Sequence, residues 1–310
     1  MADQPSQLLA DTQGCAPGTR VDDFTIAYLI SHGMNADIYA VWHHTLKTPL
    51  VCKRLRPTDA HDARWRRLLR AEGSALVQLN HPGIVRLIGQ KHDQTLPYLL
   101  LEHVGGKTLR DVLIEDGGFA IDVAVRLLQH LCAALSCAHA AGFLHRDLKP
   151  SNIIMRNGRP VLLDFGVVWK YLSGRRPPDR SGTPQYLSPE QVMREPLTPA
   201  TDVYGLGLLL FELLTNARPF RAGDADRHDA RAPLHLRYPQ LLEEPLTLRR
   251  AGRRGVPPAL QEVIMRCLAR DPRERFATAT ELLKTLDQFT RVKIWPGELA
   301  RADFSPFDEI

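Results

Sequence analysis

The stretch His145-Arg146-Asp147-Leu148-Lys149-Pro150-Ser151-Asn152-Ile153-Ile154-Met155-Arg156-Asn157-Gly158-Arg159-Pro160-Val161-Leu162-Leu163-Asp164-Phe165-Gly166 decides how the chain is read. Asn157-Gly158 is a strong two-residue hairpin signal, and it separates the apolar runs Ile153–Met155 and Val161–Leu163. Folding about that turn sets Asn152 opposite Leu163 and Ser151 opposite Asp164. The open end of the hairpin then presents an amide oxygen and a carboxylate together, with Asp147 and Lys149 just upstream. Hard oxygen ligands beside a lysine suit a divalent cation and a phosphate.

The same block resembles, nearly letter for letter, the catalytic loop H-R-D-L-x-x-x-N and the D-F-G turn of eukaryotic-like (Hanks-type) serine/threonine protein kinases. The resemblance implies an α+β, bilobal protein kinase-like fold: a small β-rich N-lobe with one key helix and a larger, mainly helical C-lobe. It also implies transfer of the γ-phosphoryl group of ATP to serine or threonine hydroxyls of proteins, autophosphorylation included. On this resemblance Asp147 accepts the hydroxyl proton, Lys149 neutralises the γ-phosphate, Asn152 and Asp164 hold Mg²⁺ or Mn²⁺, and Arg146 awaits an anion from the activation loop.

Upstream, Pro49–Leu55 reads as a strand carrying Lys53 among apolar neighbours. In the helix that follows, Trp65, Leu68, Leu69, Leu76 and Leu79 form an i, i+3, i+4 stripe with Glu72 inside it. An acid in an apolar stripe is costly unless a cation meets it, and Lys53 is the candidate. By resemblance these two residues are the ion pair that positions the α- and β-phosphates. The strand is similar to the family's V-A-I-K, with Cys52 read in place of alanine as a small apolar wall of the adenine pocket. Ser31–Ala36 falls where the family has a glycine-rich lid, and of its three glycines only Gly33 is present. The resemblance further assigns Ile30, Gly33, Ile38, Leu101 as gatekeeper, Glu102, Val104 and Ile154 to the nucleotide. Strands are also expected at Ile84–Ile88 and Tyr98–Leu101, a hinge at Gly105-Gly106, and a helix over Asp122–Ala141 ended by Gly142.

Downstream, the Arg-, Pro- and Gly-rich segment Val167–Arg180 leads to Gly182-Thr183 and Ser188-Pro189-Glu190. By resemblance this is the activation loop, with Ser188 in place of the alanine of A-P-E. Thr183 is then the platform threonine whose hydroxyl can bridge Asp147 and Lys149. The loop offers Ser173 and Ser181 but no threonine before Thr183. Thr198-Pro199 starts a helix over Pro199–Leu214. Asp202 in its first turn is either a dipole-compensating acid or, by resemblance, a ligand of the H-R-D backbone. A short helix is expected around Leu241–Leu246, and two more at Ala259–Ala269 and Thr280–Phe289. Arg275 is the match for the arginine that kinases pair with Glu190.

The 310 residues, 44% hydrophobic, suffice for a large packed core, and the net charge of +5 from 40 basic against 35 acidic residues reads as solvated loops rather than a nucleic-acid surface. Five cysteines without a C-x-x-C pair read as reduced thiols of a cytoplasmic protein. No signal peptide or membrane span is evident, the longest apolar run, Val203–Leu214, being too short. The expected organisation is a disordered leader (1–20), a kinase domain (21–290; N-lobe 21–104, C-lobe 105–290) and a C-terminal tail (291–310). Trp295, Phe304 and Phe307 of the tail either pack back on the core or bind a partner. Expected partners are ATP and proteins with Ser/Thr acceptors. A pseudokinase scaffold that binds ATP or partners without turnover is the rival reading, favoured only by the reduced glycine lid. A small-molecule kinase is a second rival, disfavoured by the complete docking segment.

Overall fold

Apolar–polar alternation builds the first part of the chain into one antiparallel sheet. The computed structural model describes residues 14–33, 35–92, 95–173, 176–177, 179–220 and 232–290. Strands β1 (Arg20–Val21), β2 (Phe24–His32), β3 (Ala36–His43) and β4 (Thr48–Leu55) precede helix α1 (Ala63–Leu76), and β5 (Leu87–Lys91) and β6 (Tyr98–Glu102) follow it. The sheet order is β1-β2-β3-β4-β6-β5. One face carries Phe24, Ile26, Tyr39, Val41, Leu50, Cys52, Tyr98 and Leu100, which form a small core of their own. The opposite face looks onto α1 and the interlobe cleft.

Residues 14–20, within the segment expected to be a leader, are part of the fold. The Cys15 N–H donates to the Tyr39 hydroxyl at 3.0 Å, and Cys15 packs on the small core. Residues 1–13 of the leader and the tail with Trp295, Phe304 and Phe307 lie outside the described residues.

Beyond β6 come β7 (Lys107–Thr108), α2 (Leu109–Asp116), the long helix α3 (Ile121–Ala140), β8 (Phe143–Leu144) and the hairpin of β9 (Ile153–Arg156) and β10 (Arg159–Leu162). That hairpin has the expected register, Leu162 opposite Ile153, and the Leu163 N–H donates to the Asn152 carbonyl at 2.8 Å. Asn157 and Gly158 both take positive φ, 50° and 74°, which a two-residue turn matched to strand twist requires. Strand β11 (Trp169–Lys170) pairs back on β8. Helices α4 (Pro189–Met193), α5 (Pro199–Thr215), α6 (Leu234–Arg237), α7 (Pro258–Cys267) and α8 (Ala279–Leu286) complete the helical lobe. Its core is α3, packed against α5 and α8. By length and composition α3 could cross a membrane, with mean hydropathy 1.4, yet half of it is buried in the lobe.

Three expectations shift. The strand expected at Ile84–Ile88 starts at Leu87, because the backbone at 83–85 is committed elsewhere: Val85 N–H donates to Leu162 O at 3.0 Å and Leu162 N–H to Gly83 O at 2.8 Å. That link ties the sheet lobe to the β9–β10 hairpin. No helix forms at Leu241–Leu246, since Pro245 lacks an N–H and disfavours helical geometry before it; a single 3₁₀ turn, Pro239–Leu241, follows α6 instead. The last expected helix, Thr280–Phe289, ends at Leu286 and gives way to a 3₁₀ turn.

Candidate active site

Lys53 is placed by strand alternation. On β4 its side chain points to the cleft, and Nζ lies 2.7 Å from Glu72 Oε2 and 2.6 Å from Asp164 Oδ1. Glu72 is 1% exposed on the inner face of α1, so the acid in the apolar stripe does meet its cation. Burial opposes the charge on Lys53, but Asp164 and Glu72 outweigh it and raise its pKa above the ordinary value. Burial pushes the Glu72 carboxyl up to about 7 against the pull of Lys53. Asp164 is also desolvated, yet Lys53 and the Gly166 N–H hold it low, at about 2. Two acids sharing one ammonium are thereby driven apart. A Cβ on Gly166 would stand 2.8 Å from Asp164 Oδ1 and 2.9 Å from Lys53 Nζ, so a side chain there would push the ion pair out of its present geometry.

The loop before the hairpin is held by a carboxylate from another helix. Asp202, in the first turn of α5, accepts from the backbone N–H of His145 and of Arg146, each at 2.9 Å, and contacts His139 Nε2 at 2.8 Å. Arg146 is thus fixed at φ 71°, a left-handed geometry that a bulky residue adopts only when its surroundings impose it. Of the two readings of Asp202, the structure shows the backbone ligand. His145 is wedged edge-on against Phe165, ring centroids 4.7 Å apart, and contacts Leu163 O through Nε2 at 2.9 Å.

Held this way, Asp147 Oδ1 accepts from the Thr183 N–H at 2.7 Å, and Oδ2 from Asn152 Nδ2 at 3.0 Å and Lys149 at 2.8 Å. Lys149 also donates to Thr183 Oγ1 at 2.6 Å. The bridge expected of the Thr183 hydroxyl is instead divided: the hydroxyl meets Lys149, and the backbone N–H reaches Asp147. The platform is anchored from below by Arg275, whose Nη1 and Nη2 lie 2.7 and 2.8 Å from the two oxygens of Glu190.

Lys53, Glu72, Asp147, Lys149, Asn152, Asp164 and Thr183 line one cleft of about 910 Å³ between the lobes, together with Ile30, Gly33, Ile38, Leu101, Glu102, Val104 and Ile154. The roof is closed by the Gly33 N–H donating to Ala36 O at 2.8 Å. For a divalent cation the donor set fits. Asn152 turns its amide N–H groups to Asp147, leaving its amide oxygen as an acceptor, and the Asp164 side chain borders the cleft. Oxygen donors of this kind suit Mg²⁺ or Mn²⁺.

Comparison with known proteins agrees with this geometry: residues 24–286 match the protein kinase domain. The chain belongs to the protein kinase family. Curated relatives include the serine/threonine-protein kinase PknB of Mycolicibacterium smegmatis, 32% identical over 84% of this chain. PksC of Streptomyces coelicolor is 32% identical over 81%, and PknB of Mycobacterium tuberculosis 30% over 91%. The chain spans 42%, 46% and 44% of those three proteins, under half of each.

Within this kinase domain one expected nucleotide contact is misplaced. Cys52 does not face the cleft: it is fully buried in the small core on the opposite side of the sheet, where burial pushes its thiol up to about 12. Successive strand residues point to opposite faces, so with Lys53 facing the nucleotide side its neighbour cannot. Val51, two residues before Lys53, is the cleft wall in its place, and Val85 and Leu163 are further apolar walls not anticipated. The two-residue period counted back from Lys53 was the available signal for Val51.

Proposed function

We propose that the chain is an ATP-dependent serine/threonine protein kinase acting in the cytoplasm, with Mg²⁺ or Mn²⁺ held by Asn152 and Asp164. The observation that carries this reading is the Asp147–Thr183–Lys149 cluster, in which a carboxylate, an ammonium and the substrate platform are hydrogen-bonded to one another at 2.6–2.8 Å. Asp147 orients an acceptor hydroxyl and takes its proton; Lys149, beside it, meets the charge of the transferred group. Lys53, braced by Glu72, holds the α- and β-phosphates. When bound, the cation supplies charge neutralisation of the phosphate chain. The form of the platform, with Thr183 on Lys149, supports serine and threonine as acceptors, and the names of the relatives agree. A scaffold without turnover is the poorer reading, because binding alone does not require Lys53, Asp147, Asn152 and Asp164 to converge. The five free cysteines are compatible with a reducing compartment.

Purified protein given labelled ATP and Mg²⁺ is expected to place phosphate on serine or threonine of itself or of a generic acceptor protein, read by phosphoamino-acid analysis. Nucleotide binding with no transfer to any acceptor would favour the scaffold.

A pH dependence follows from the raised Glu72 carboxyl. Its protonated form accumulates as pH falls through about 7, and a neutral Glu72 no longer braces Lys53. In the free enzyme kcat/KM for ATP is therefore expected to fall toward acid with an apparent pKa near 7. Glu72→Gln should lower kcat/KM at neutral pH and lose that limb. An unchanged limb in Glu72→Gln would assign it to another group.

A further inference from the structure

Helix α1 starts with a charge of unfavourable sign. Arg64 stands in its first turn, where the helix dipole disfavours a cation, and that turn contains no acid of its own. The N-cap Asp62 accepts the Arg64 backbone N–H at 2.7 Å, but the carboxylate that meets the Arg64 guanidinium comes from far along the chain: Asp179 Oδ2 lies 2.6 Å from Nη2. The other oxygen, Oδ1, accepts the hydroxyl of Ser181. Two residues later Thr183 grips Asp147 and Lys149. One carboxylate thus joins the helix that carries Glu72 to the segment that holds Asp147.

Beside this joint lies Arg146, 5% exposed. Its Nη1 donates to Val167 O at 3.0 Å, while Nε and Nη2 have no hydrogen-bond partner among the described residues. A buried guanidinium needs negative charge nearby. Burial weakens its hold on the proton, and Asp179 heads the acids, before Asp202 and Asp147, that oppose this. Asp179 is thus the acid that most favours the charge on Arg146, while its own oxygens are bonded to Arg64 and Ser181.

We infer that Asp179 is a positioning residue: its carboxylate, bonded to Arg64 and Ser181, holds α1 and the activation segment in register with the catalytic loop before any loop hydroxyl is modified. This rests on the kinase reading above. Its consequence is that the chain free of phosphate is already organised for turnover, and that charge at position 179, not merely the volume there, sustains it. Because Arg64 is half exposed, the coupling is modest, and loss of the charge should cost about fivefold in kcat.

The test uses the full chain produced with a phosphatase and shown by mass spectrometry to carry no phosphate. Initial rates with a peptide acceptor are expected to match those of the autophosphorylated protein within about twofold. Asp179→Asn should lower kcat about fivefold with KM for ATP nearly unchanged. Asp179→Glu should restore most of the loss, and Asp179→Arg should lose more than Asp179→Asn, since it sets a cation against both Arg64 and Arg146. Amide hydrogen exchange over residues 63–76 should speed up in Asp179→Asn but not in Asp179→Glu, a readout that needs no activity. Equal exchange in wild type and Asp179→Asn, or a phosphate-free wild type that gains activity only when Ser173 or Ser181 is modified, would overturn the inference. Absence of transfer by every form would instead count against the kinase reading, with the exchange experiment still deciding the joint.

Discussion

Asp147→Asn is expected to lower kcat by about 10²- to 10⁴-fold, the usual loss when a positioned general base is removed. The side chain is nearly isosteric, so the effect isolates chemistry from shape. Asp147 accepts from three donors: the Thr183 N–H, Asn152 Nδ2 and the Lys149 ammonium. An asparagine brings an NH₂ group that must face at least one of them. Its oxygen can serve either the Thr183 side or the Asn152–Lys149 side, and the remaining donor is left opposed to another donor. That mismatch costs about 1–3 kcal/mol locally, well below what unfolds a domain whose core spans both α3 and α5. The variant should therefore keep its near-ultraviolet circular dichroism and bind nucleotide with little change while transferring almost nothing. Measured under saturating ATP, equal phosphate incorporation by variant and wild type would remove Asp147 from the mechanism. A variant that fails to bind nucleotide would show instead that the loss is structural.

Much of this site was legible because its decisive part is local. The H-R-D to D-F-G segment closes on itself through the Asn157-Gly158 turn, so sequence distance and spatial distance agree. Lys53 and Glu72 were legible for a different reason: an acid inside an apolar stripe makes a demand that only a cation satisfies. Glu190 and Arg275, 85 residues apart, could be joined only through the family resemblance, since nothing in their local composition points from one to the other. Arg64 and Asp179, 115 apart, have no such guide in the sequence. The error at Cys52 has another origin. A motif was aligned by letter across a strand, and a displacement of one residue there moves a side chain from one face of the sheet to the other. Pro245 was a local signal against the helix at 241–246. Glu212, a charge inside the apolar run Val203–Leu214, is 2% exposed. It accepts the Tyr186 hydroxyl at 2.6 Å and pairs with Arg110 at 3.1 Å, and so carries the far side of the platform.

Arg275→Leu should produce the largest loss of stability of any single change near the platform. The guanidinium is wholly buried, and all its donors are used. Nε reaches Ala269 O at 2.7 Å, Nη1 reaches Glu190 and Ala200 O, and Nη2 reaches Glu190 and Arg270 O. The group also lies over the Tyr204 ring, 4.8 Å from its centroid. Leucine fills much of the space but strands Glu190 as a buried carboxylate, together with three carbonyls. Breaking a buried pair from one side costs about 3–5 kcal/mol, which for a domain of this size lowers Tm by roughly 6 °C or more. Glu190→Gln keeps a hydrogen-bonding partner for Arg275 but removes the anion, and should cost less. The double change Arg275→Leu with Glu190→Leu should recover part of the Arg275→Leu loss, because it leaves no charge unpaired. Glu190 sits at the start of α4, behind the capping box of Ser188 and Gln191, so release of the pair should loosen Thr183 as well as the core. Thermal unfolding of the three variants beside wild type decides the matter. A Tm within about 2 °C of wild type for Arg275→Leu would mean that the pair contributes no more than a hydrophobic contact of its size.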